Sequence, residues 1–167
     1  MATTIGRAGT SIGIAPTVYD RILAAASVIL AGVAIVAIGR GFSDWPMVPA
    51  IIWAHLATIL IALLLTPFML LRARGDVRHR RWGMVWLASM FATAILSFGI
   101  RTGGGFSPIH ILSAVTAIQV QLIWRSARQH RTAAHRRGIR ILVTGGLLIA
   151  GFFTFPFGRL LGRWLFA

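Results

Sequence analysis

The sequence contains no cysteine and no glutamate, and Asp20, Asp44 and Asp76 are its only acidic side chains. Without cysteine the chain cannot form disulfides, cysteine-bound iron–sulfur clusters or a thiol nucleophile. Without a pair of carboxylates it lacks the residues of a di-iron site, a zinc hydrolase or a glycosidase. Because the three aspartates lie at the edges of apolar runs or in loops, we expect neither a Ser-His-Asp triad nor a carboxylate-based transport pathway.

Lysine is also absent, so all 17 basic residues are arginines, and the formal net charge is +14. Such a charge can indicate nucleic-acid binding. Here, however, the arginines stand between apolar runs in a chain that is 57% hydrophobic, which favours a membrane protein with no nucleic-acid partner. Residues 1–20 lack the apolar core of a cleavable signal peptide and are interpreted as a cytosolic tail.

Five apolar runs are long enough to cross a hydrocarbon core about 30 Å thick. They cover approximately residues 21–40, 48–71, 82–100, 106–124 and 139–158. The sequence therefore predicts an all-α, polytopic integral membrane helix bundle, in which residues 21–167 form a single transmembrane domain within the lipid bilayer. With a cytoplasmic N-terminus and an extracytoplasmic C-terminus, 13 of the 17 arginines fall on the inner side, as the positive-inside rule requires.

The second and third predicted helices resemble the fourth and fifth. One unit runs from His55 to the "HRRWG" that begins at His79, and the other runs from His110 to the "HRRG" that begins at His135. The two histidines are 24 positions apart in the first unit and 25 in the second. Because both units run from the outer side to the inner side and back, they form a parallel internal repeat, related by an axis along the membrane normal.

The repeat places one histidine pair near each membrane surface, with His55 and His110 outside and His79 and His135 inside, roughly 25 Å apart. Small and polar residues at helical steps from His55 and His110 predict that both face the bundle interior. Histidines on different helices can occupy the two axial positions of a haem iron. Alternatively, they only form hydrogen bonds within the bundle. His130 has no repeat partner and is interpreted as a surface residue.

The haem hypothesis also gives a role to the arginines beside His79 and His135. Haem propionates are carboxylates, and charge-assisted donors at a suitable depth are provided by Arg80, Arg81, Arg136 and Arg137. The positive-inside rule explains the same arginines without any ligand.

The histidine pattern resembles that of the ascorbate-reducible di-haem cytochrome b family, and "HLATILIALLLTPFMLLR" resembles the histidine-led helix of that family. The resemblance implies one or two haem b groups, held by His55 with His110 and by His79 with His135. The spacings in this chain are shorter, and its inner histidines stand at loop–helix junctions.

Residues 49–140 also resemble a bacterial family of small multi-pass membrane proteins of unknown function, which has a His…HR-x-x-G…His pattern. This resemblance implies a location in the bacterial inner membrane. The first functional hypothesis is a b-type cytochrome that exchanges electrons with a quinone or another membrane redox partner, with no side chain assigned as catalytic. The second is a non-enzymatic membrane subunit, or an assembly factor of a respiratory oxidase, without stable haem. A small-solute transporter is the third. Both a homo-oligomer and a subunit of a respiratory complex remain open.

Overall fold

A computed structural model describes residues 15–72, 76–100, 108–156 and 158–166, and every regular element in these ranges is helical. Of the predicted tail, residues 1–14 lie outside this described part. The elements, in chain order, are α1 (Val18–Arg40), a 3-10 helix (Phe42–Met47), α2 (Ala50–Leu71), α3 (Val77–Gly99), α4 (Pro108–Arg128), α5 (Thr132–Ile141), a π-helical segment (Leu142–Ile149), α6 (Ala150–Phe152) and α7 (Leu160–Phe166).

Two of these helices begin earlier than the apolar pattern predicts, because polar residues cap their first turns. At the start of α1, Thr17 Oγ1 accepts a hydrogen bond from the Asp20 amide, and Asp20 Oδ2 accepts one from the Thr17 amide. This reciprocal pair is a capping box. At the start of α3, Asp76 Oδ1 accepts a hydrogen bond of 2.6 Å from the His79 amide. The basic segment around His79 is therefore the first turn of a helix and not a loop.

The helices α1, α2 and α3 are each long and apolar enough to cross a membrane. Large apolar side chains project outward from them and are exposed, as expected of helices that contact lipid; examples are Ile29, Val36, Leu64 and Ile95. By contrast, α4 carries Gln119, Gln121 and Arg125, and the last predicted span is divided between α5, the π-helical segment and α6. Among the described residues, three of the five predicted spans are therefore single helices that are both long enough and apolar enough to cross a membrane.

The helices pack in a ring that follows chain order. α2 packs against α1 and α3, and α4 packs against α3 and α5. The π-helical segment closes the ring through contacts with α1, α2 and α4. Because no extensive interface joins α2 to α4 among the described residues, these two helices occupy diagonal positions with α3 between them on one side.

The centre of the ring is filled by large side chains, of which Trp86 and Met90 on α3 and Leu147 on the π-helical segment are fully buried. Trp86 also carries a polar group into this centre. Its indole Nε1 lies 3.1 Å from the carbonyl oxygen of Ala62 and 3.0 Å from Thr66 Oγ1, and donates to both across the α2–α3 interface. A buried indole N–H is therefore satisfied without water.

The end of the bundle where α1 ends is closed by tryptophans and by α7, which packs against α1. Trp45, Trp53 and Trp164 follow one another in ring contact, with centroid distances of 5.3 and 6.3 Å. Trp164 Nε1 donates a hydrogen bond of 2.9 Å to Asp44 Oδ2. These contacts fix the short α7 against the 3-10 helix and the C-terminal end of α1.

The closest approach in this region is at Gly162 in α7, where an added Cβ would overlap the carbonyl oxygen of Phe155. We expect Gly162→Ala to lower the free energy of unfolding by about 2 kcal/mol, because the clash is with backbone and cannot be relieved by a rotamer change. Gly39→Ala is the matched control, since a Cβ at Gly39 meets no atom within 4 Å. Unfolding in detergent, followed by tryptophan fluorescence, measures both changes. Equal stability of the two variants would contradict the close packing of α7.

Candidate functional site

His55 on α2 lies among hydrogen-bonding groups of α2 and α3. The His55 ring nitrogen Nδ1 lies 3.2 Å from the carbonyl oxygen of Thr93 on α3. Thr93 Oγ1 donates a 2.8 Å hydrogen bond to Thr58 Oγ1, which in turn donates to the carbonyl oxygen of His55. The imidazole is therefore oriented by two helices at once.

The partner of the His55 ring determines which nitrogen carries the proton. A carbonyl oxygen can only accept, so Nδ1 must be the donor in this hydrogen bond. In the neutral ring Nε2 then bears the lone pair, and this is the nitrogen that can ligate a metal. Histidine ligands commonly donate their second ring nitrogen to a backbone carbonyl or a carboxylate, which fixes both the tautomer and the ring orientation. His55 has this arrangement.

His110, the other predicted outer ligand, is the third residue of α4 and is only 5% exposed. Its ring lies 6.0 Å from the ring of Phe98 on α3. Ser113 and Thr116 follow on the same face of α4 and are also buried. Of the small and polar residues at helical steps from His110 that predict its interior position, Ser113 is buried, Ala114 and Ala117 are half-buried, and Gln121 is exposed.

His55 and His110 thus lie near the N-terminal ends of the diagonal helices α2 and α4, and both contact α3. The residues of α3 that they contact, Thr93 and Phe98, are separated along the axis by about 7.5 Å at 1.5 Å per residue. Hydroxyl groups accompany both rings, from Thr58 and Thr93 beside His55 and from Ser113 and Thr116 after His110.

At the opposite end of the bundle, on α5, His135 repeats the hydrogen-bonding arrangement of His55. Its Nδ1 lies 3.2 Å from the carbonyl oxygen of Ile123 on α4, so Nδ1 again donates and Nε2 again bears the lone pair. His79 is half-buried in the first turn of α3, on the helix diagonal to α5. The four predicted ligands therefore lie on two pairs of diagonal helices. His55 and His110 lie on α2 and α4, and His79 and His135 lie on α3 and α5.

The four predicted propionate-binding arginines have different surroundings. Arg80 and Arg81 are exposed in the first turns of α3, and Arg137 is exposed on α5. Arg136 instead donates a hydrogen bond of 2.9 Å to Asp20 Oδ2. Any anion bound by Arg136 would have to share this guanidinium with the aspartate.

This ion pair belongs to a cluster that the sequence analysis missed. The Asp20 side chain is fully buried, and it accepts hydrogen bonds from Arg136 and, at 2.8 Å, from Arg140 Nε. Arg140 also donates to Thr17 Oγ1 at 2.7 Å. Two signals could have indicated the cluster: Asp20 is an acid at the start of an apolar run, and Arg136 and Arg140 are spaced four positions apart on one helix face.

Within the described ranges, no group of three or more histidine, cysteine, aspartate or glutamate side chains is arranged to hold a metal ion. This part of the chain therefore provides no site of the structural-zinc type, which needs four protein ligands. Axial ligation of haem needs only two protein ligands, because the porphyrin supplies the other four.

Comparison with known proteins adds no further information about the site. No protein-family model matches the chain, and neither a curated protein nor a solved structure is significantly similar to it.

Proposed function

We propose that this protein is a membrane-bound b-type cytochrome whose outer haem is held by His55 and His110. The observation that carries the proposal is the hydrogen bond from His55 Nδ1 to the Thr93 carbonyl, which leaves Nε2 as the ligating nitrogen. The buried position of His110 on the diagonal helix supplies the second imidazole. Such bis-histidine ligation from facing helices is a common way for a membrane bundle to hold haem.

The residues around these histidines fit the proposed group. A flat macrocycle between diagonal helices requires small side chains along the path that joins the two ligands. Thr58 and Thr93 beside His55, and Ser113 and Thr116 after His110, are small side chains that support this fit. Phe98 provides an aromatic contact for the His110 ring. The donor set consists of imidazole nitrogens, which suits haem iron.

Bound haem supplies reversible one-electron chemistry at its iron. The chain's own contribution is to orient the ligands and to exclude water. Thr93 holds the His55 ring in one tautomer, and Phe98 packs against His110. The large side chains below them, Trp86 and Leu147, keep the centre of the bundle dry. If the protein is an enzyme, it is therefore a haem-dependent membrane oxidoreductase, with a quinone or another membrane redox partner at one surface.

A second haem held by His79 and His135 extends this proposal to the inner side. The hydrogen bond from His135 Nδ1 to Ile123 repeats the orientation seen at His55. Arg80, Arg81 and Arg137 are exposed and available to propionates, whereas Arg136 is shared with Asp20. Two haems at these levels would connect the two surfaces of the membrane.

The proposed topology has five spans, with the N-terminus on the cytoplasmic side of a bacterial inner membrane. α4 has 21 residues, and α5, the π-helical segment and α6 run without a break from 132 to 152. Each is long enough to cross about 30 Å of hydrocarbon at 1.5 Å per residue. In this topology α2–α3 and α4–α5 are the two units of the parallel repeat. The unequal distribution of arginines supports the orientation.

The haem content of purified variants tests the ligand assignment. We expect His55→Ala and His110→Ala each to reduce haem per protein to background, because one axial ligand is lost. His130→Ala is the matched control, because this exposed histidine lies in the turn between α4 and α5 and should leave the haem content unchanged. The ratio of haem absorbance to protein, after one purification protocol, measures all three. Equal haem content in His55→Ala and His130→Ala would exclude His55 as a ligand.

The dense packing at the centre of the bundle favours a second candidate, a non-enzymatic respiratory-complex subunit or assembly factor. Trp86, Met90 and Leu147 fill the centre, and the Trp86 indole donates to Thr66, whose hydroxyl donates to the Ala62 carbonyl oxygen. A stable, colourless protein that co-purifies with a terminal oxidase would support this candidate over the cytochrome.

A further inference from the structure

A groove lies between α4 and α5 at the end of the bundle where α5 begins. Gln129 and Arg125 line it from the α4 side, and Arg131, Ala134 and Arg137 line it from the α5 side. Arg137 also lines a neighbouring groove between α1 and the π-helical segment. Arg137 therefore lies between the two grooves, and Arg140 in the second groove is paired with Asp20.

The groove is concave because α4 and α5 approach each other closely on both sides of it. Nearer the bundle centre, a Cβ added at Gly138 would lie 2.8 Å from Ile123 Cγ1, so the two helices are in contact there. At the opposite end, His130 has a φ of 56° and reverses the chain within a short turn. A left-handed residue allows this compact connection. The arginines therefore converge on one cleft.

The charge of this groove is not neutralised by the protein. Arg125, Arg131 and Arg137 are exposed and form no ion pair with the described part of the chain. The sequence has only three carboxylate side chains. They are Asp20, which binds Arg136 and Arg140, Asp44, which binds Trp164, and Asp76, which caps α3. The described part of the chain therefore supplies no carboxylate to these three arginines.

The N-terminus of α5 also favours the binding of an anion in the groove. Its N-cap residue is Arg131, which makes no side-chain hydrogen bond to the first turn. The first turn of a helix carries unpaired N–H groups and the positive end of the helix dipole. Because Arg131 and Ala134 both line the groove, this end of α5 borders it. Oriented N–H groups beside arginines form a favourable site for a phosphate.

Apolar side chains beside the groove indicate that the anion carries hydrocarbon. Leu122 and Ile141 line the groove and are each 52% exposed. One turn further along α4, Ile118 is 61% exposed. A soluble phosphate would make no use of this apolar track, whereas acyl chains would cover it. Basic pockets between helices at the cytoplasmic surface are suited to anionic lipid headgroups.

We propose that this groove binds the headgroup phosphate of an anionic glycerophospholipid in the inner leaflet. Arg125, Arg131 and Arg137 are the phosphate donors, and the acyl chains lie along Leu122 and Ile118. The site contains no histidine, and two of its three arginines, Arg125 and Arg131, take no part in the haem proposal. Arg137 is also among the arginines proposed for the inner haem, so the two proposals overlap at this one position. Only the choice of leaflet depends on the proposed topology.

Titration of the delipidated, full-length protein tests this site. The probes are phosphatidylglycerol and phosphatidylcholine with the same acyl chains, and native mass spectrometry in a neutral detergent counts the bound lipid. We expect one tightly bound phosphatidylglycerol and no comparable phosphatidylcholine. Replacing Arg125, Arg131 and Arg137 together with glutamine should weaken phosphatidylglycerol binding about 100-fold, since each arginine near a lipid surface contributes about 1 kcal/mol.

Two further variants make the result specific to the groove. Arg21, Arg78 and Arg128 are exposed and do not line the groove, so their joint replacement by glutamine removes the same charge and should leave binding unchanged. Ala134→Trp fills the groove without changing the charge, and it should weaken binding even if the triple variant does not fold. Equal weakening by the two triple variants would show diffuse electrostatic attraction and overturn the proposal. Full displacement of the lipid by glycerol 3-phosphate at equal concentration would also overturn it, because the groove would then recognise phosphate alone.

Discussion

Asp20→Asn is expected to lower the free energy of unfolding by about 3 kcal/mol, because breaking a buried ion pair leaves its partners without compensation. The carboxylate is fully buried and accepts hydrogen bonds from both Arg136 and Arg140. An amide at this position would present N–H donors to guanidinium donors, and two positive charges would face each other without an anion between them. This expected loss of stability is at the low end of the range for buried ion pairs, because the side chains of Arg136 and Arg140 are 23% and 27% exposed.

Urea unfolding in detergent, followed by tryptophan fluorescence, measures this loss. Asp76→Asn is the matched control, because Asp76 is exposed and only caps α3, and asparagine caps a helix about as well as aspartate, so this change should cost well below about 1 kcal/mol. Combining Asp20→Asn with Arg140→Gln should cost less than the sum of the two single changes, since both residues belong to one network. An Asp20→Asn variant as stable as Asp76→Asn would show that the ion cluster does not hold α1 to α5.

Trp86→Ala is expected to produce a loss of similar size, about 4 kcal/mol, because it removes a fully buried ring from the bundle centre and leaves a cavity. Both hydrogen bonds of the indole, to Ala62 and Thr66, are lost as well. In a bilayer, helix association depends on close packing and interhelical hydrogen bonds, and Trp86 contributes both at the α2–α3 interface. The same fluorescence assay, with the remaining tryptophans as reporters, measures the change.

Trp82→Ala provides the matched control for Trp86, since it removes the same side chain from the same helix one turn away. Trp82 is 46% exposed and contacts Phe68 edge-to-face. We expect its loss to cost less than about 1 kcal/mol, as for a single aromatic pair. Trp86→Phe should fall between the two alanine variants, because it retains most of the packing and loses the N–H donor. If Trp82→Ala were as damaging as Trp86→Ala, the centre of the bundle would lie elsewhere.

The positions of the helices were largely predictable because they follow from apolar run length. α1, α2 and α3 contain or closely match the apolar runs 21–40, 48–71 and 82–100. The starts of α1 and α3 were predicted too late. The reason is that Thr17, Asp20 and Asp76 extend the helices into polar sequence by capping, and hydropathy does not detect capping.

The last predicted span shows a different limit of sequence reasoning. The apolar run 139–158 predicts one regular helix, but the structure has α5 from Thr132, a π-helical segment and the short α6. Gly145 and Gly146 lie within the π-helical segment, and an added Cβ at Gly146 would lie 3.1 Å from Thr116 Oγ1 on α4. This wider helix therefore depends on a tertiary contact, which periodicity alone does not reveal.

The candidate site was predictable only in part: residue spacing is contained in the sequence, and the tertiary partners are not. The spacing of small and polar residues after His55 and His110 predicts that both histidines face the bundle interior, and His110 is buried while His55 is half-buried. It does not indicate that Thr93 and Ile123 supply carbonyl acceptors, since this depends on the rotation of α3 and α4. The pairing of Asp20 with Arg136 joins residues 116 positions apart, and only the packing of α1 against the end of the bundle brings them together.

The most direct test of the cytochrome assignment is the reduced-minus-oxidised optical spectrum of the wild-type protein, purified in detergent after expression with sufficient haem. Ligation by His55 and His110 predicts a low-spin, bis-histidine b-type spectrum that appears on reduction with dithionite. A folded protein that is colourless under these conditions, with intact helicity and tryptophan fluorescence, would contradict the assignment. The histidines would then be hydrogen-bonding groups of a non-enzymatic membrane subunit.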